Sequence, residues 1–272
     1  MDKILKTLIL GGQVSLAVSE TRDLINEAVK IHKPTERAAK ILGGLLTCGA
    51  YIAAGLKSEK GCVSLTVKAK RGDGAVSVSA DASLNVRGYV DGSCENTLVG
   101  GTLTVVREDG YSQPFVGTCE IAEDHVSDIL ETYFGQSEQI PCAAAFSPCF
   151  SDGGKCENFT AVIMQLLPDA SEWAIEEAAA LLEKFKGDGN RTVGAEAVFG
   201  KYFKGAADGG ITELYPKYRC NCSEEKIRGV LASVGRAELL KICDELGEVK
   251  VHCHYCNRDY TYDRKRIEAF IK

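Results

Sequence analysis

No uncharged run in this sequence is long enough to cross a bilayer. The longest, ILGGLLTCGAYIAAGL at 41–56, is 16 residues and rich in glycine, short of the roughly 20 that a hydrocarbon core requires. Dense lysine and arginine tracts are also missing, and the net charge is −6. Both facts count against a nucleic-acid partner, whose phosphates draw a basic face. A glycine-rich dinucleotide fingerprint is absent. The nearest approach to a phosphate loop, GAEAVFGKY at 194–202, has one spacer residue too many, and Tyr202 stands where Ser or Thr should hold magnesium. ATP is therefore not an expected ligand. Repeats and low-complexity tracts are lacking as well. The opening MDKILKTLILGGQVSLAV has Asp2 and no small-residue cleavage site, so it reads as a first strand rather than a signal peptide.

What the sequence does have is cysteine, twelve of them in 272 residues. In a chain this long without a convincing signal, they read as reduced thiols plus a metal or redox site, and the expected compartment is the cytoplasm. Hydrophobic residues at 45% and charged residues at 26% suit a globular protein with a sizeable core.

The first 170 residues mix strand and helix signals. QVSLAVSE at 13–20 predicts a strand. TRDLINEAVKIH then puts Leu24, Ile25, Ala28 and Ile31 on one helical stripe behind a Thr21 cap, and Thr35 caps a second, strongly apolar helix ending near Gly55. From 61 to 118, β-rich runs (CVSLTVKAK, AVSVSADA, NVRGYV, GTLTVVRE, QPFVGTCEI) alternate with the turn sequences RGDG, DGS and EDG. A helix at about 123–134 and a hairpin around CAAAFSPCFSDGGKCENFTAVIMQLL complete this part.

After Pro168 the texture changes. Asp169 and Glu172 have capping-box spacing, and Ala174, Ala178, Leu181, Leu182 and Phe185 form an apolar stripe that stops at Gly187. A shorter helix carries Val198, Phe199, Tyr202 and Phe203. Such helices must cover apolar surface elsewhere. The fold class is α+β: a mixed helix and β-sheet core over 1–170, an amphipathic helical linker over 171–219 packed on that core, and a small C-terminal zinc-binding domain over 220–272.

Two cysteine pairs mark that last segment, Cys220/Cys222 in RCNCSEEK and Cys253/Cys256 in VHCHYCNRDY. Structural zinc takes four ligands in a tetrahedron and favours thiolates, and pairs spaced C-x-C and C-x-x-C each reach one ion without straining the backbone. Zinc on Cys220, Cys222, Cys253 and Cys256 is the expectation. The alternatives are buried apolar cysteines and a thioredoxin-like pair at Cys253/Cys256, which lacks a βαβ setting. His252 and His254 could replace a thiol but read as surface residues on the hairpin. Cys243 falls on an apolar helix stripe. A unit this small gains about 3–5 kcal/mol from its own core, whereas structural zinc contributes on the order of 10–16 kcal/mol. Folding of the unit should therefore follow the metal. Thiolates are also what oxidants attack first, so the arrangement suits a sensor.

At these residues the sequence resembles the 33-kDa redox-regulated heat-shock chaperones. YRCNCSEEKIRGVLASVGRAELLKI with GEVKVHCHYCNRDYTYDRKRIEAFI is similar to their redox-switch domain. ETYFGQSEQIP at 131–141, NVRGYV at 85–90, VGGTLTVVREDG at 99–110 and MQLLPDA at 164–170 look like family segments in family order. The resemblance implies a cytoplasmic holdase, not an enzyme, that binds unfolding client proteins under oxidative stress without ATP. It implies zinc on the four cysteines when reduced, and the disulfides Cys220–Cys222 and Cys253–Cys256 on oxidation. It also implies linker unfolding and a homodimer in the active form.

One departure is Cys142, where the family has a small residue. Cys142, Cys149 and Cys156 are seven apart and read as reduced, partly buried thiols, a second redox cluster being the alternative. Cys48, Cys62, Cys94 and Cys119 take the same structural reading. Glu138 and Gln139 have no His, Ser or second carboxylate placed to work with them, so they too read as structural. Two other functions stay open. One is a zinc-ribbon nucleic-acid or ribosome-associated factor, although residues 220–272 balance ten Lys/Arg against nine Asp/Glu and DRKR at 263–266 reads as a solvated face. The other is a thiol oxidoreductase using Cys253 and Cys256.

Overall fold

The computed structural model describes residues 1–70, 72–152 and 154–270. The chain begins with β1 (Lys3–Ile9), β2 (Val14–Glu20), α1 (Arg22–His32) and α2 (Glu36–Ala53). Five strands follow: β3 (Cys62–Lys68), β4 (Gly74–Asp81), β5 (Asn85–Gly92), β6 (Thr102–Glu108) and β7 (Phe115–Glu120). Next come α3 (Val126–Tyr133), β8 (Cys142–Phe150), β9 (Cys156–Leu166), α4 (Glu172–Lys186), α5 (Ala195–Val198), β10 (Thr212–Leu214) and β11 (Lys217–Tyr218). The last segment holds α6 (Glu224–Val234), α7 (Arg236–Leu246), β12 (Glu248–Cys253), β13 (Arg258–Asp263) and α8 (Arg264–Phe270). Contacts divide the chain into two compact units, Met1–Arg219 and Cys220–Lys272. The architecture is the α+β class read from the sequence.

Side-chain alternation organises the first unit. One sheet runs β10-β1-β2-β9-β8. On β1, Ile4 enters one core while Leu5 and Ile9 enter another; on β2, Ala17 opposes Leu16 and Val18. A strand's period of two sends neighbours to opposite faces, and here both faces are apolar because both are covered. The second sheet runs β11-β5-β4-β3-β6-β7. Its inner face buries Val63, Leu65, Val67, Val76 and Val78, while its outer face carries Ser and Thr, with Thr66 and Ser77 hydroxyls 3.2 Å apart. α1, α2 and α3 lie between the two sheets, in one core with Phe159 and Ile163 of β9. The glycines of α2 serve this closeness. A Cβ at Gly43, Gly44 or Gly49 would come within 2.9 Å of Ile25, Val126 or Val78 respectively.

The reverse face of the first sheet is covered by residues 171–207. The five-residue stripe of α4 is buried as its spacing requires, together with Ala195 and Val198 of α5 and with Phe199 and Phe203. The shorter helix is α-helical only over α5 and widens into a π-turn at Phe199–Phe203. Asp188, just beyond α4, ties the cover together. Its carboxylate meets Lys201 Nζ at 2.6 Å and accepts from the Thr192 amide at 2.5 Å, and Lys201 Nζ also reaches Thr192 Oγ1 at 2.8 Å. The Lys201 hydrogen bond holds the Asp188 carboxyl well below the usual range.

Several local expectations are corrected. Thr21 does not cap α1; its hydroxyl is spent on Thr47 at 2.7 Å. The Asp2 carboxylate accepts the Asp23 and Leu24 amides at 2.8 and 2.5 Å instead, so the cap arrives from the residue just before β1. The cap of α4 is Ser171, accepting from the Ala174 amide, and not Asp169. β10 and β11 were not anticipated. They are three and two residues long, too short for a periodic signal, and exist because β1 and β5 offer edges to pair with.

Glu138 has the structural role read for it. Residues Phe134–Glu138 wind as a π-turn that ends at Gln139 in the left-handed region, turning Glu138 back onto its neighbours. Its carboxylate accepts Tyr133 Oη–H at 2.5 Å and pairs with Arg107 Nη2 at 2.7 Å and Nη1 at 3.1 Å, joining α3 to β6. Hydrogen bonds to charged, part-buried groups contribute about 1.5–3 kcal/mol. Glu138→Gln should therefore lower the unfolding free energy of the first unit by about that amount in chemical denaturation. An unchanged midpoint would remove this clamp from the account.

Candidate metal centre

The second unit assembles around two short chain reversals. Cys220 and Cys222 precede α6, whose N-cap Ser223 accepts from the Lys226 amide at 3.2 Å, with Glu224 and Glu225 in the first turn where the helix dipole favours them. Cys253 ends β12. The chain then turns within four residues, closed by Asn257 N–H donating to Cys253 C=O at 2.9 Å, and β13 pairs back in antiparallel register. Asn257 takes φ of +53°, a conformation that Asn tolerates better than most side chains. Cys256 lies in this turn. The unit's own core is small: Leu231, Leu239, Cys243, Val249, Tyr262 and Ile267 are its buried apolar residues. Cys243 thus sits in the core, as its helical position indicated.

The structure brings together all four cysteines singled out by spacing. Their sulfurs lie within 4.8 Å of one another, with Cys220–Cys253 at 3.7 Å and Cys222–Cys256 at 3.4 Å. A tetrahedral zinc with metal–sulfur bonds near 2.3 Å has edges of about 3.8 Å. A disulfide needs about 2.0 Å. The sulfurs are therefore spaced as ligands of a common ion and not as bonded pairs. This is the sole group of three or more potential metal ligands that converges among the described residues. The donor set fits zinc in number, softness and spacing.

Electrostatics within the cluster are uneven. Burial opposes ionisation of Cys222, but hydrogen bonds from Tyr260 and the other thiols outweigh it and bring its thiol down to about 7. Burial, with the hydrogen bond to Cys222, pushes Cys256 up to about 12, and burial also raises Cys253. Closing the cage on a metal must displace the protons that Cys253 and Cys256 hold more tightly. Tyr260, whose hydroxyl donates to Cys222 Sγ at 3.2 Å, was missed in the sequence. Its one signal there was its place on the strand after Cys256, opposite Val251.

Other residues read from sequence fall elsewhere. His252 and His254 lie exposed on the hairpin, outside the sulfur cluster. Cys142 is partly buried, Cys149 exposed and Cys156 buried, and all three are free thiols. In the DRKR segment, Arg264 pairs with Asp244 and Glu268, and Arg266 with Glu224. Its charge is thus locally answered. No helix among the described residues is long and apolar enough to cross a membrane.

Comparison with known proteins agrees in extent as well as in motif. The family profile described as Hsp33 protein matches residues 2–263. A protein named 33 kDa chaperonin from Clostridium perfringens (strain SM101 / Type A) is 31% identical, the alignment covering 100% of this chain and 92% of that protein. One of the same name from Clostridium botulinum (strain 657 / Type Ba4) is 29% identical over 100% and 97%. The crystal structure of the 33 kDa chaperonin (heat shock protein 33 homolog) from Thermotoga maritima superposes with a TM-score of 0.83 at 21% identity, covering 98% of this chain and 97% of that one. That likeness is one of fold.

Two outcomes follow from this geometry. Removing metal with a strong chelator should collapse amide-exchange protection across residues 224–263 and leave strands β3 to β6 protected. Retained protection in α7 and β12 would show that the six-residue core suffices. Tyr260→Phe removes the hydroxyl that donates to Cys222 Sγ, so protons should compete better for that thiolate and acid-driven zinc release from the reduced chain should move to higher pH.

Proposed function

The chain belongs to the Hsp33 protein family, whose chaperonin members bind client proteins, and from that premise we propose that it is a redox-regulated holdase acting without ATP. The convergence of four thiols within 4.8 Å, in a unit where six apolar residues are buried among those described, supports this reading most strongly. In the reduced state Cys220, Cys222, Cys253 and Cys256 hold zinc, which supplies the stability that the small core cannot.

Oxidation changes the ligands themselves. Formation of Cys220–Cys222 and Cys253–Cys256 creates two S–S bonds and removes four electrons. Two molecules of peroxide accept them, taking up protons and leaving as water. Disulfide sulfurs no longer form a thiolate cage, so the Cys220–Lys272 unit loses its main source of order. Residues 171–219 act as the linker: β11 ends two residues before Cys220 and is joined to β5 by a two-residue pairing, with Tyr218 Oη donating to Gly88 C=O at 2.9 Å. As the linker loosens, it uncovers the apolar face that α4 and α5 bury, including Leu5, Ile9, Leu16 and Val162. That face offers unfolding clients a large non-directional surface. The oxidised form is a homodimer, and the compartment is the cytoplasm.

A sensor of this kind is converted once per stimulus and is not an enzyme, whereas a thiol oxidoreductase would turn over. The nucleic-acid reading is weakened by the acidic partners of Arg264 and Arg266. In a client-aggregation assay, reduced zinc-loaded protein should suppress aggregation little and peroxide-treated protein strongly, with zinc release accompanying the gain. Cys253→Ser should uncouple activity from oxidant. Equal suppression in both states would remove the switch.

A further inference from the structure

The two sheets of the first unit end in four edge strands, β10, β8, β11 and β7, and these ends are not treated alike. An edge strand presents unpaired N–H and C=O groups that invite another strand, and proteins blunt it with short length, proline, bulges or covering groups. β10 and β11 are three and two residues long. β8 carries Pro148 and a bulge at Cys149/Phe150. Its Ala144 N–H donates to Glu131 Oε1 at 2.6 Å, and its Pro148 C=O accepts from Asn190 at 3.2 Å. β7 has none of these devices within it. Its six residues, FVGTCE, pair with β6 in unbroken register, and they include no lysine or arginine. Ile121, the next residue, fixes which way that edge faces. Its N–H donates to Gly101 C=O at 2.9 Å and its C=O accepts from Gly100 N–H at 2.7 Å, both on the β6 side. In an antiparallel ladder that duty alternates, so Cys119, Gly117 and Phe115 also face β6. Val116, Thr118 and Glu120 therefore turn their N–H and C=O groups outward, and no group among the described residues answers them.

We propose that the outer edge of β7 accepts an extended, apolar segment of an unfolding client protein as an added strand. Donors and acceptors alternating at strand spacing are complementary to the backbone that every unfolded chain exposes. Phe115 and Val116, 48% and 58% exposed, give the edge an apolar flank, and the absence of cations leaves it without the usual deterrent to pairing. The strand is also held firm from behind. A Cβ at Gly117 would come within 2.9 Å of Tyr133, whose hydroxyl is bound by Glu138, so little order has to be created on binding. The occupant rests on the chaperone reading, but the site does not need the switch, because the edge is open while α4 and α5 are in place. One added strand makes few hydrogen bonds of modest net worth. The edge is thus a place of weak first contact, in keeping with little suppression by the reduced protein. The bland reading is an edge that is merely tolerated, and it predicts no response to an extended peptide.

The test uses the full reduced, zinc-loaded chain and a peptide of alternating valine and threonine with lysines only at its ends, followed by residue-resolved amide exchange. The expected result is new protection at Val116, Thr118 and Glu120 on adding peptide, with Gly117 and Cys119 as protected as before. The same peptide N-methylated at every residue keeps its side chains, loses its donors and should protect nothing. Thr118→Pro removes one outward N–H and should weaken binding about 3–10-fold. Val116→Lys leaves the backbone whole and should weaken it as well. Retained protection of Cys119 in both variants reports an intact β6–β7 pair. No gain at the three amides, or an equal gain from the methylated peptide, would overturn the proposal. Protection that rises with protein concentration and not with peptide would assign the edge to a second copy and overturn it too. The wild-type pattern decides the matter without either variant. Equal aggregation suppression before and after peroxide would remove the switch and leave this result standing, so the two readings fail separately.

Discussion

The convergence of four sulfurs is the constraint on which the C-terminal unit depends. Its helices are short and its hairpin is a single two-stranded ribbon, an element that is marginal in water on its own. The six apolar residues buried among those described are a small core to set against the entropy of ordering the segment. A metal held by the four sulfurs, as proposed, would cross-link two chain reversals and supply what the core cannot. It would also put the stability of the unit under the control of thiol chemistry, which packing alone would not allow.

The first unit is built on a different principle. Its central sheet is apolar on both faces and needs two covers. One cover, the α1–α3 layer, is locked by close helix approaches at glycines and by carboxylate contacts such as those of buried Asp2 and part-buried Glu138. The other, made of α4, α5 and the π-turn, is held by a stripe of moderate size and a polar tie at Asp188. Lys3 and Glu196 add a bridge at 2.5 Å, exposed on the Glu side, and such bridges contribute little. The asymmetry is physical: one cover is interdigitated on both sides, the other rests on a single face.

Several charges are answered locally. Arg37 is bound by Asp124, Arg107 by Glu138, Lys201 by Asp188 and Arg264 by Asp244.

Much of this was legible in the chain itself. The Leu24, Ile25 and Ala28 stripe, the α4 stripe, the β-runs between 61 and 118 and the C-x-C and C-x-x-C spacings are short-range patterns, and short-range patterns report local geometry and ligand reach. What lay beyond the sequence were the partners supplied from far along it: Asp2 capping α1 in place of Thr21, Glu138 bridging to Arg107, β10 and β11 completing sheet edges, Tyr260 donating to Cys222. Each depends on two segments meeting in space, and no periodicity encodes which distant side chain will arrive. The sequence alone determined most of the elements, their buried faces and the four cysteines that converge. Only the tertiary structure decided which hydrogen bonds close them, because those are chosen by proximity after folding rather than by spacing before it.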